Sequence, residues 1–348
     1  MLHNILVKQD MTIRDCIKRL DETGKQILVV VDDVNKLLGV ITDGDIRRWI
    51  LKNGILDEKC SKIMTESPKH VTRDSFHDVK HIMEETGTNA LPVVNDNLIV
   101  TDVYFWNEKF NEDFRKLDPI KSPVVIMAGG KGTRLKPFTN VIPKPLIPIG
   151  EETIVERIIS RFQKYGVNNF YMTINYKKEM IKAYFKEKQI EYKLDFVEEM
   201  KPLGTGGSLS LLRNEINETF FVSNCDVLID ADYQNILAYH RENNNKITMV
   251  TSLKNSVIPY GVINLDDKGM INSIVEKPAR DFLVNTGIYV LEPECLEDIP
   301  NEIFYHITEL IQHYLDKGER IGTYPISEEA WMDMGHFDEM ESMLKKIK

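Results

Sequence analysis

The residues best suited to chemistry form a loop, residues 129–134, that combines three glycines with a lysine and an arginine. The loop directly follows the apolar run 124–128, which indicates a buried strand. Glycines let the backbone turn sharply and bring its N–H groups close to an anion, and the two cations neutralise phosphate charge. The loop therefore suits phosphate binding, but many glycine-rich loops bind nothing, so the pattern alone does not decide.

Two further charged residues fit the same chemistry. Lys144 stands between two prolines, which fix φ and place this cation on a stiff segment. Asp226 ends a second apolar run. Mg²⁺ prefers carboxylate, water and phosphate oxygens, so this aspartate suits a magnesium site beside a phosphate. Alone, it also fits a strand-end cap or a turn.

Alternating strands and helices position these residues. The alternation after residue 124 predicts a mostly parallel sheet flanked by helices. Ligands of such sheets gather at the carboxyl ends of the strands, where the glycine loop also lies. The predicted strands are 124–128, 170–174, 193–197, 220–223 and 247–252, and the predicted helices are 154–165, 177–187 and 337–347.

The glycine loop followed by Pro-Lys-Pro resembles the sugar-phosphate nucleotidyltransferases, which carry Gly-Gly-x-Gly-x-Arg-Leu and then that segment. The stretch Pro-Leu-Gly-Thr-Gly-Gly at 202–207 is similar to the base-recognising loop of the hexose-1-phosphate guanylyltransferase branch. The resemblance implies a Rossmann-like α/β fold of the nucleotidyltransferase type. It also implies that the nucleotide is bound by Ala128, Gly129, Gly130, Gly132, Thr133, Pro202, Gly204 and Thr205.

The same resemblance extends to the later motifs Tyr-Gly-Val, Glu-Lys-Pro and Asn-x-Gly-x-Tyr, at 260–262, 276–278 and 285–289. The sugar contacts that it implies are Tyr260, Gly261, Glu276, Asn285 and Gly287. Asn-x-Asp and Trp-x-Asp are the family's metal-binding patterns. They imply that Asp226 and Asp333 hold Mg²⁺.

The reaction implied by the resemblance joins a sugar 1-phosphate to a nucleoside triphosphate and releases pyrophosphate. Arg134 would then bind the triphosphate and the leaving group, and Lys144 would lie near the α-phosphate. Lys277 would hold the incoming sugar phosphate. Both reactants are anions, so the work of such a site is alignment and charge neutralisation.

The first third of the chain carries a repeat. Residues 11–31 and 74–94 each predict a helix, a glycine and then a buried strand, at a period of roughly 60 residues that is typical of a tandem unit. The repeat resembles a pair of CBS domains, modules that sense adenosyl ligands. Thr42 and Asp45 match the positions that contact a bound AMP, ADP or ATP, whereas Tyr104 replaces the acid in the second copy. A dimerisation scaffold without a ligand is the alternative.

The helix of the second copy carries His77 and His81, which are four residues apart. That spacing allows metal binding. Because no third ligand is in view, a solvated helix face is the better interpretation.

Composition limits the remaining function classes. The chain has 348 residues and a formal net charge of −10, which argues against nucleic-acid and anionic-membrane surfaces. Its four scattered cysteines suggest reduced thiols and a cytoplasmic protein. No apolar run is long enough for a membrane span. We expect a CBS module at 1–118, a linker at 119–123 and a catalytic domain at 124–348, assembled as a homodimer or higher homo-oligomer.

The joined modules resemble the enzymes that activate glucosamine-1-phosphate with GTP in bacterial legionaminic acid synthesis. Mannose-1-phosphate guanylyltransferase is the close alternative. A nucleotide sensor with an inactive transferase domain is a second alternative, although it would not need all five charged site residues. A glycosyltransferase is a third, but the sequence Asn224-Cys225-Asp226 lacks the first acid of an Asp-x-Asp motif. Few residues follow Gly335, so no C-terminal β-helix or acyltransferase domain is expected.

Overall fold

The computed structural model describes residues 2–72, 79–106 and 119–335. The chain divides into two compact units, Met1–Leu117 and Asp118–Lys348. The predicted helix 337–347 and His77 lie outside the described residues.

The N-terminal unit contains two short sheets with the same pattern. Its strands are β1 (Leu6–Lys8), β2 (Ile27–Val31), β3 (Leu37–Thr42), β4 (Thr65–Glu66), β5 (Val71–Thr72), β6 (Ala90–Val94) and β7 (Val100–Phe105). Its described helices are α1 (Leu2–Ile5), α2 (Ile13–Thr23), α3 (Asp43–Leu51) and α4 (Val79–Thr86). β1 pairs parallel with β2, and β2 antiparallel with β3; β5, β6 and β7 repeat this arrangement. The two copies therefore share a topology as well as a sequence pattern.

The two copies also share a core. Val29 and Val31 of β2 pack in one apolar cluster with Val94 of β6 and Val100 of β7. Backbone hydrogen bonds join the copies, since the Leu37 N–H donates to the carbonyl oxygen of Leu98 at 2.9 Å. The unit is therefore held together by apolar burial between the repeats.

The second unit is a larger α/β domain. Its strands are β8 (Val124–Met127), β9 (Pro148–Ile149), β10 (Glu152–Thr153), β11 (Asn169–Ile174), β12 (Lys193–Glu198), β13 (Phe220–Asn224), β14 (Val227–Ile229), β15 (Ile247–Val257), β16 (Val262–Leu265), β17 (Ile271–Val275), β18 (Ala279–Leu291), β19 (Ile321–Ile326) and β20 (Trp331–Asp333). Its described helices are α5 (Ile154–Gln163), α6 (Lys178–Lys186), α7 (Gly204–Gly207), α8 (Tyr233–Glu242) and α9 (Ile307–Asp316).

Seven strands form the central sheet, in the order β12-β11-β8-β13-β18-β15-β19. β18 runs antiparallel to both of its neighbours, and the other pairings are parallel. The prediction of a mostly parallel sheet is therefore confirmed. The antiparallel strand β18 was not predicted, because an apolar run does not reveal the direction in which its strand runs.

Burial on both faces explains the continuous apolar run of β8. Val124 and Ile126 point into a cluster with Phe162 of α5, and Val125 and Met127 point into a second cluster on the opposite face. The second cluster includes α9. Helices thus cover both faces of the sheet, as parallel sheets require.

β15 and β18 continue beyond the central sheet as a two-stranded ribbon that also carries the hairpin β16–β17. We call residues 253–283 the arm. β15 pairs with β19 only as far as Ser252, so the ribbon has no third strand within the described residues. Most arm residues are exposed.

The segment 119–123, expected to be a linker, is part of the second unit instead. Ile120 is 5% exposed and packs in the core, and its N–H donates to the carbonyl oxygen of Tyr165 at 2.9 Å. Pro119 lies against Gly166, whose φ of +84° ends the turn after α5. The prolines indicated a linker. Burial of the apolar Ile120 side chain is more favourable than its exposure to water, so the segment packs in the core.

Candidate active site

A cavity of about 340 Å³ opens at the carboxyl ends of the parallel strands. Met127 ends β8, Asn224 ends β13, and Glu199 directly follows β12; all three line the cavity. Predicted site residues in its walls are Gly129, Gly130, Gly132, Thr133, Arg134, Lys144, Pro202, Gly204, Thr205 and Asp226. The fold thus brings together residues that are about a hundred positions apart in the sequence.

Close contacts explain two of the glycines in the glycine loop, residues 129–134. Gly132 has φ +61°, and a Cβ there would lie 2.8 Å from Cγ2 of Thr139. A Cβ on Gly129 would lie 2.3 Å from Oε1 of Glu199. Ala128, in contrast, is buried in the core beneath the loop, and its N–H donates to the carbonyl oxygen of Thr173. Ala128 therefore supports the predicted nucleotide site rather than lining it.

Lys144 and Asp226 form an ion pair in the cavity wall, and each side chain is only 11% exposed. A short 3₁₀ segment, Lys144–Leu146, positions the lysine. Removing two charges from water is expensive unless they are paired, so each ion makes the other's burial tolerable.

Asp333 lies on the strand next to Asp226. β14 and β20 pair so that Val227 faces Asp333, and the Met334 N–H donates to the carbonyl oxygen of Asp226 at 2.9 Å. A Cβ built on Gly335 would lie 3.2 Å from Oδ1 of Asp333 and 3.4 Å from Nη1 of Arg134. The predicted metal ligands and the predicted triphosphate arginine thus occupy one edge of the site.

This donor set fits Mg²⁺ better than a metal with an all-protein cage. Among residues 2–72, 79–106 and 119–335, no group of three or more His, Cys, Asp or Glu side chains is arranged to hold a metal ion. Mg²⁺ usually takes one or two carboxylates and completes its shell with water and substrate phosphates. Asp226 and Asp333 could supply those carboxylates.

Glu199 is a site residue to which the sequence analysis assigned no role. It is 4% exposed, and its Oε2 accepts a hydrogen bond from the Leu203 N–H at 3.0 Å. Burial raises the pKa of this carboxyl above its usual value. The signal that could have found it is its position directly after a parallel strand.

Two more wall residues, Phe304 and His306, come from the segment before α9. This segment is distant in sequence from the glycine loop and carries no recognisable motif. Backbone hydrogen bonds between Tyr305 and the loop of Leu203, Gly206 and Gly207 bring it to the cavity.

The predicted sugar contacts are split between two places. Gly261 and Glu276 lie together on the arm, since a Cβ on the glycine would be 3.0 Å from Oε2 of the glutamate. Tyr260 is 73% exposed, and Lys277 is exposed with φ +45°. Among the described wall residues of the cavity, none belongs to the arm.

Asn285 and Gly287 lie closer to the cavity. The Asn285 amide donates to the Tyr289 hydroxyl at 2.6 Å and accepts from the Gly287 N–H at 3.0 Å. Gly287 has φ +87°, and a Cβ there would lie 2.3 Å from the side chain of the wall residue Asn224. This half of the predicted sugar site therefore adjoins the cavity.

Thr42 and Asp45 of the N-terminal unit form the capping box of α3. The Thr42 hydroxyl donates to Oδ2 of Asp45 at 2.7 Å, and Arg48 pairs with Oδ1 at 2.5 Å. In the second copy, Tyr104 lies opposite Leu91 in the β6–β7 pair. His81 is exposed, which agrees with a solvated helix face.

None of the helices in the described part of the chain is both long and apolar enough to cross a bilayer. All four cysteines are buried free thiols.

Comparison with known proteins agrees with this geometry. The family description "Nucleotidyl transferase" matches residues 123–348, and the description "CBS domain" matches residues 1–52.

Three curated relatives illustrate the range of similarity. The "Bifunctional protein GlmU" of Methanococcus aeolicus is 34% identical over 64% of this chain and 55% of that protein. The D-glycero-alpha-D-manno-heptose 1-phosphate guanylyltransferase of Campylobacter jejuni is 31% identical over 56% of this chain and 86% of that protein. The catalytic subunit beta of the Dictyostelium discoideum mannose-1-phosphate guanylyltransferase is 31% identical over 61% of this chain and 60% of that protein. The chain thus spans less than two thirds of the length of the first and third of these relatives.

Among solved structures, HddC from Yersinia pseudotuberculosis matches with a TM-score of 0.52 and 26% identity, over 65% of this chain and 100% of that one. One crystal structure of that protein is a complex with GMP-PN. Since the family description matches residues 123–348, which is more than half of the chain and includes every wall residue of the cavity, the chain belongs to the nucleotidyl transferase family.

Proposed function

We propose that this chain is a sugar-1-phosphate nucleotidyltransferase that uses GTP. The observation that carries the proposal is the convergence of the glycine loop, Lys144 and Asp226 on one cavity at the carboxyl ends of the parallel strands. Relatives named as guanylyltransferases for sugar 1-phosphates support it.

The proposed reaction is a single in-line displacement. An oxygen of the sugar 1-phosphate forms a bond to the α-phosphorus, the bond from that phosphorus to the bridging oxygen breaks, and pyrophosphate leaves with the electron pair. Lys144 neutralises charge at the α-phosphate, and Arg134 holds the triphosphate and the departing pyrophosphate. Such fixed cations act most strongly where water is excluded.

Mg²⁺ held by Asp226 and Asp333 would supply Lewis-acid stabilisation of the phosphate charge. In this proposal Lys144 releases part of its interaction with Asp226 when the nucleotide enters. Since the pair is already buried, little solvent has to be removed at that moment.

Glu199 supports guanine as the base. Guanine presents an N–H and an adjacent amino group on one edge, and a carboxylate is an acceptor that can receive both. Uracil presents one N–H between two carbonyl oxygens, which a carboxylate repels. Glu199 is buried in the cavity wall beside the base loop, where such a difference counts most.

For the sugar we propose glucosamine-1-phosphate, with mannose-1-phosphate as the alternative. The first choice follows from the pairing of a CBS module with this transferase, which resembles enzymes of legionaminic acid synthesis. The relatives named for mannose-1-phosphate favour the alternative. The exposed arm does not discriminate between the two hexoses.

We further propose that AMP, ADP or ATP binds at Thr42 and Asp45 and regulates the enzyme, which acts in the cytoplasm as a homodimer or larger homo-oligomer. Both side chains lie at the N-terminus of α3, where backbone N–H groups favour an anion. Calorimetry with each nucleotide, on the wild type and on Asp45→Ala, tests this. Absence of heat from the wild type would favour a scaffold role.

The experiment that tests the main proposal measures pyrophosphate release with Mg²⁺ across four nucleoside triphosphates and a panel of sugar 1-phosphates. Turnover with GTP and glucosamine-1-phosphate is expected, and turnover with mannose-1-phosphate instead would select the alternative sugar. A panel without pyrophosphate release, in the presence and absence of adenine nucleotides, would favour the nucleotide-sensor alternative.

A further inference from the structure

The cavity has a wall that no sequence motif predicts, formed by Phe304 and His306 of the segment 303–306. This segment is fixed to the base loop by backbone hydrogen bonds. The N–H groups of Gly206 and Gly207 both donate to the Tyr305 carbonyl oxygen at 2.9 Å, and the Tyr305 N–H donates to the Leu203 carbonyl oxygen at 2.9 Å. The Thr205 hydroxyl accepts from the Ile307 N–H at 3.2 Å.

Glycines in the base loop make this contact possible. A Cβ on Gly204 would lie 2.7 Å from the Tyr305 carbonyl oxygen, and one on Gly207 would lie 2.4 Å from the Ile303 carbonyl oxygen. These glycines therefore serve the approach of a second backbone, in addition to any approach of a base. Residues 303–306 are held in a fixed position beside Pro202 and Thr205.

Phe304 occupies an unusual position in that wall. It lines the cavity, yet 57% of its surface is exposed. Its ring meets the His306 ring edge-on, with centroids 4.9 Å apart and planes at 86°. A Cβ on Gly204 would lie 3.4 Å from Cε2 of Phe304, so the ring extends over the base loop. The side chain is thus positioned by its neighbours but leaves apolar ring surface uncovered in a nucleotide-sized cavity.

We infer that Phe304 is a specificity-determining residue that covers one face of the bound base and favours purines over pyrimidines. The inference rests on the proposed function and extends it to a residue with no assigned role. Every base has a π-face, and stacking on an aromatic side chain adds to affinity in proportion to the overlapping surface. A purine offers two fused rings, so it gains more from the contact than a pyrimidine does.

The test compares Phe304→Ala with the matched control Ile303→Ala. Ile303 is also 57% exposed and neighbours Phe304, but it is not among the described wall residues of the cavity. Calorimetry with Mg²⁺ measures binding of GTP and UTP to the full chain, and steady-state kinetics measure the KM of the sugar phosphate. Phe304→Ala should weaken GTP binding about tenfold and UTP binding clearly less, in line with loss of one stacked aromatic.

Supporting results also include an unchanged KM for the sugar phosphate and recovery of GTP affinity in Phe304→Tyr. Ile303→Ala should bind GTP within about twofold of the wild type. Equal GTP affinity in Phe304→Ala and the wild type would overturn the inference and leave the proposed function intact. Equal losses for GTP and UTP would also overturn it, because they would indicate a general loop effect. A wild type that binds neither nucleotide would overturn the proposed function and this inference together.

Discussion

The nucleotide cavity and the arm belong to one domain, but they are built in opposite ways. In the cavity, Lys144, Asp226 and Glu199 are buried, and Lys144 is already paired with Asp226. On the arm, Tyr260, Glu276 and Lys277 are exposed. The cavity, which is one half of the proposed site, is therefore organised by the fold alone. The other half becomes a site only when something covers it, and in our proposal the sugar phosphate does so.

Sheet position explains this difference. The strands that end at the cavity lie inside a seven-stranded sheet with apolar cores on both faces. The arm is a two-stranded ribbon, an arrangement that is only marginally stable in water without further packing. We therefore expect the nucleotide to bind to a preformed cavity, and the sugar phosphate to bind with a larger ordering of the chain.

The largest effect is expected from Lys144→Ala. It should reduce turnover by about a thousandfold, as loss of a fixed charge at the reacting phosphate does in other enzymes. It also leaves Asp226 buried without its partner, so the free energy of unfolding should fall by about 3–5 kcal/mol. Pyrophosphate release and chemical denaturation measure the two effects.

Lys164→Ala is the control for that variant. Lys164 is an exposed lysine at the C-cap of α5 and is not among the described wall residues of the cavity. Its removal should change neither stability nor turnover much. Near-normal activity of Lys144→Ala would mean that the reaction does not take place in the preformed cavity.

Lys277→Ala is expected to have the next largest effect, limited to the sugar substrate. The KM of the sugar 1-phosphate should rise at least about tenfold, the magnitude of a lost charge-assisted contact to phosphate. GTP affinity measured by calorimetry should stay unchanged, because the arm does not line the nucleotide cavity. Lys268→Ala, an exposed arm residue in the turn before β17, is the control. A loss of GTP affinity in Lys277→Ala would contradict the assignment of the nucleotide to the cavity and the sugar phosphate to the arm.

The cavity half was also the more predictable half from sequence. Its glycine loop and Lys144 lie in contiguous motifs, and Asp226 closely follows the apolar strand β13, so local patterns were sufficient. The mostly parallel sheet followed from the alternation of strands and helices. The sequence did not reveal that Ile120 packs in the core of the second unit, because one apolar residue between prolines is a weak pattern.

Wall residues contributed by distant segments could not be predicted. Phe304 reaches the cavity only because backbone hydrogen bonds join residues 203–207 to 305–307. Ala128 shows the reverse case, since it belongs to a binding motif but its side chain packs in the core directly after β8. Membership of a motif does not determine the direction in which a side chain points.

Glu199→Gln should produce a smaller and selective effect. The variant keeps the size of the side chain but replaces one acceptor oxygen with a donor, so GTP affinity should fall about tenfold while UTP affinity holds. The pKa of Glu199 is raised by burial, so its carboxylate protonates at a higher pH than an exposed glutamate would. GTP affinity of the wild type should therefore decrease as the pH falls through that raised pKa.

The pH dependence gives a second readout for this residue. Glu199→Gln cannot titrate, so its GTP affinity should lose that acidic decline. Calorimetry over a pH series on both proteins measures this. If both proteins show the same decline, another group is responsible, and Glu199 does not read the base.

The smallest effect on the free energy of unfolding is expected from a substitution on the arm, Ile274→Ala. Ile263, Leu265 and Ile274 are 53%, 60% and 63% exposed, and the first and last are cross-strand partners in the β16–β17 hairpin. If this face is in contact with solvent, Ile274→Ala should change the free energy of unfolding by less than about 0.5 kcal/mol. Ile126→Ala, in the buried strand β8, should cost about 2–5 kcal/mol. A cost above about 1 kcal/mol for Ile274→Ala, or a change in mass by light scattering, would show that another surface covers the arm in solution. The arm, which carries the proposed sugar contacts, would then also be ordered before the substrate binds. Contact with that other surface would order it, rather than the fold of this domain.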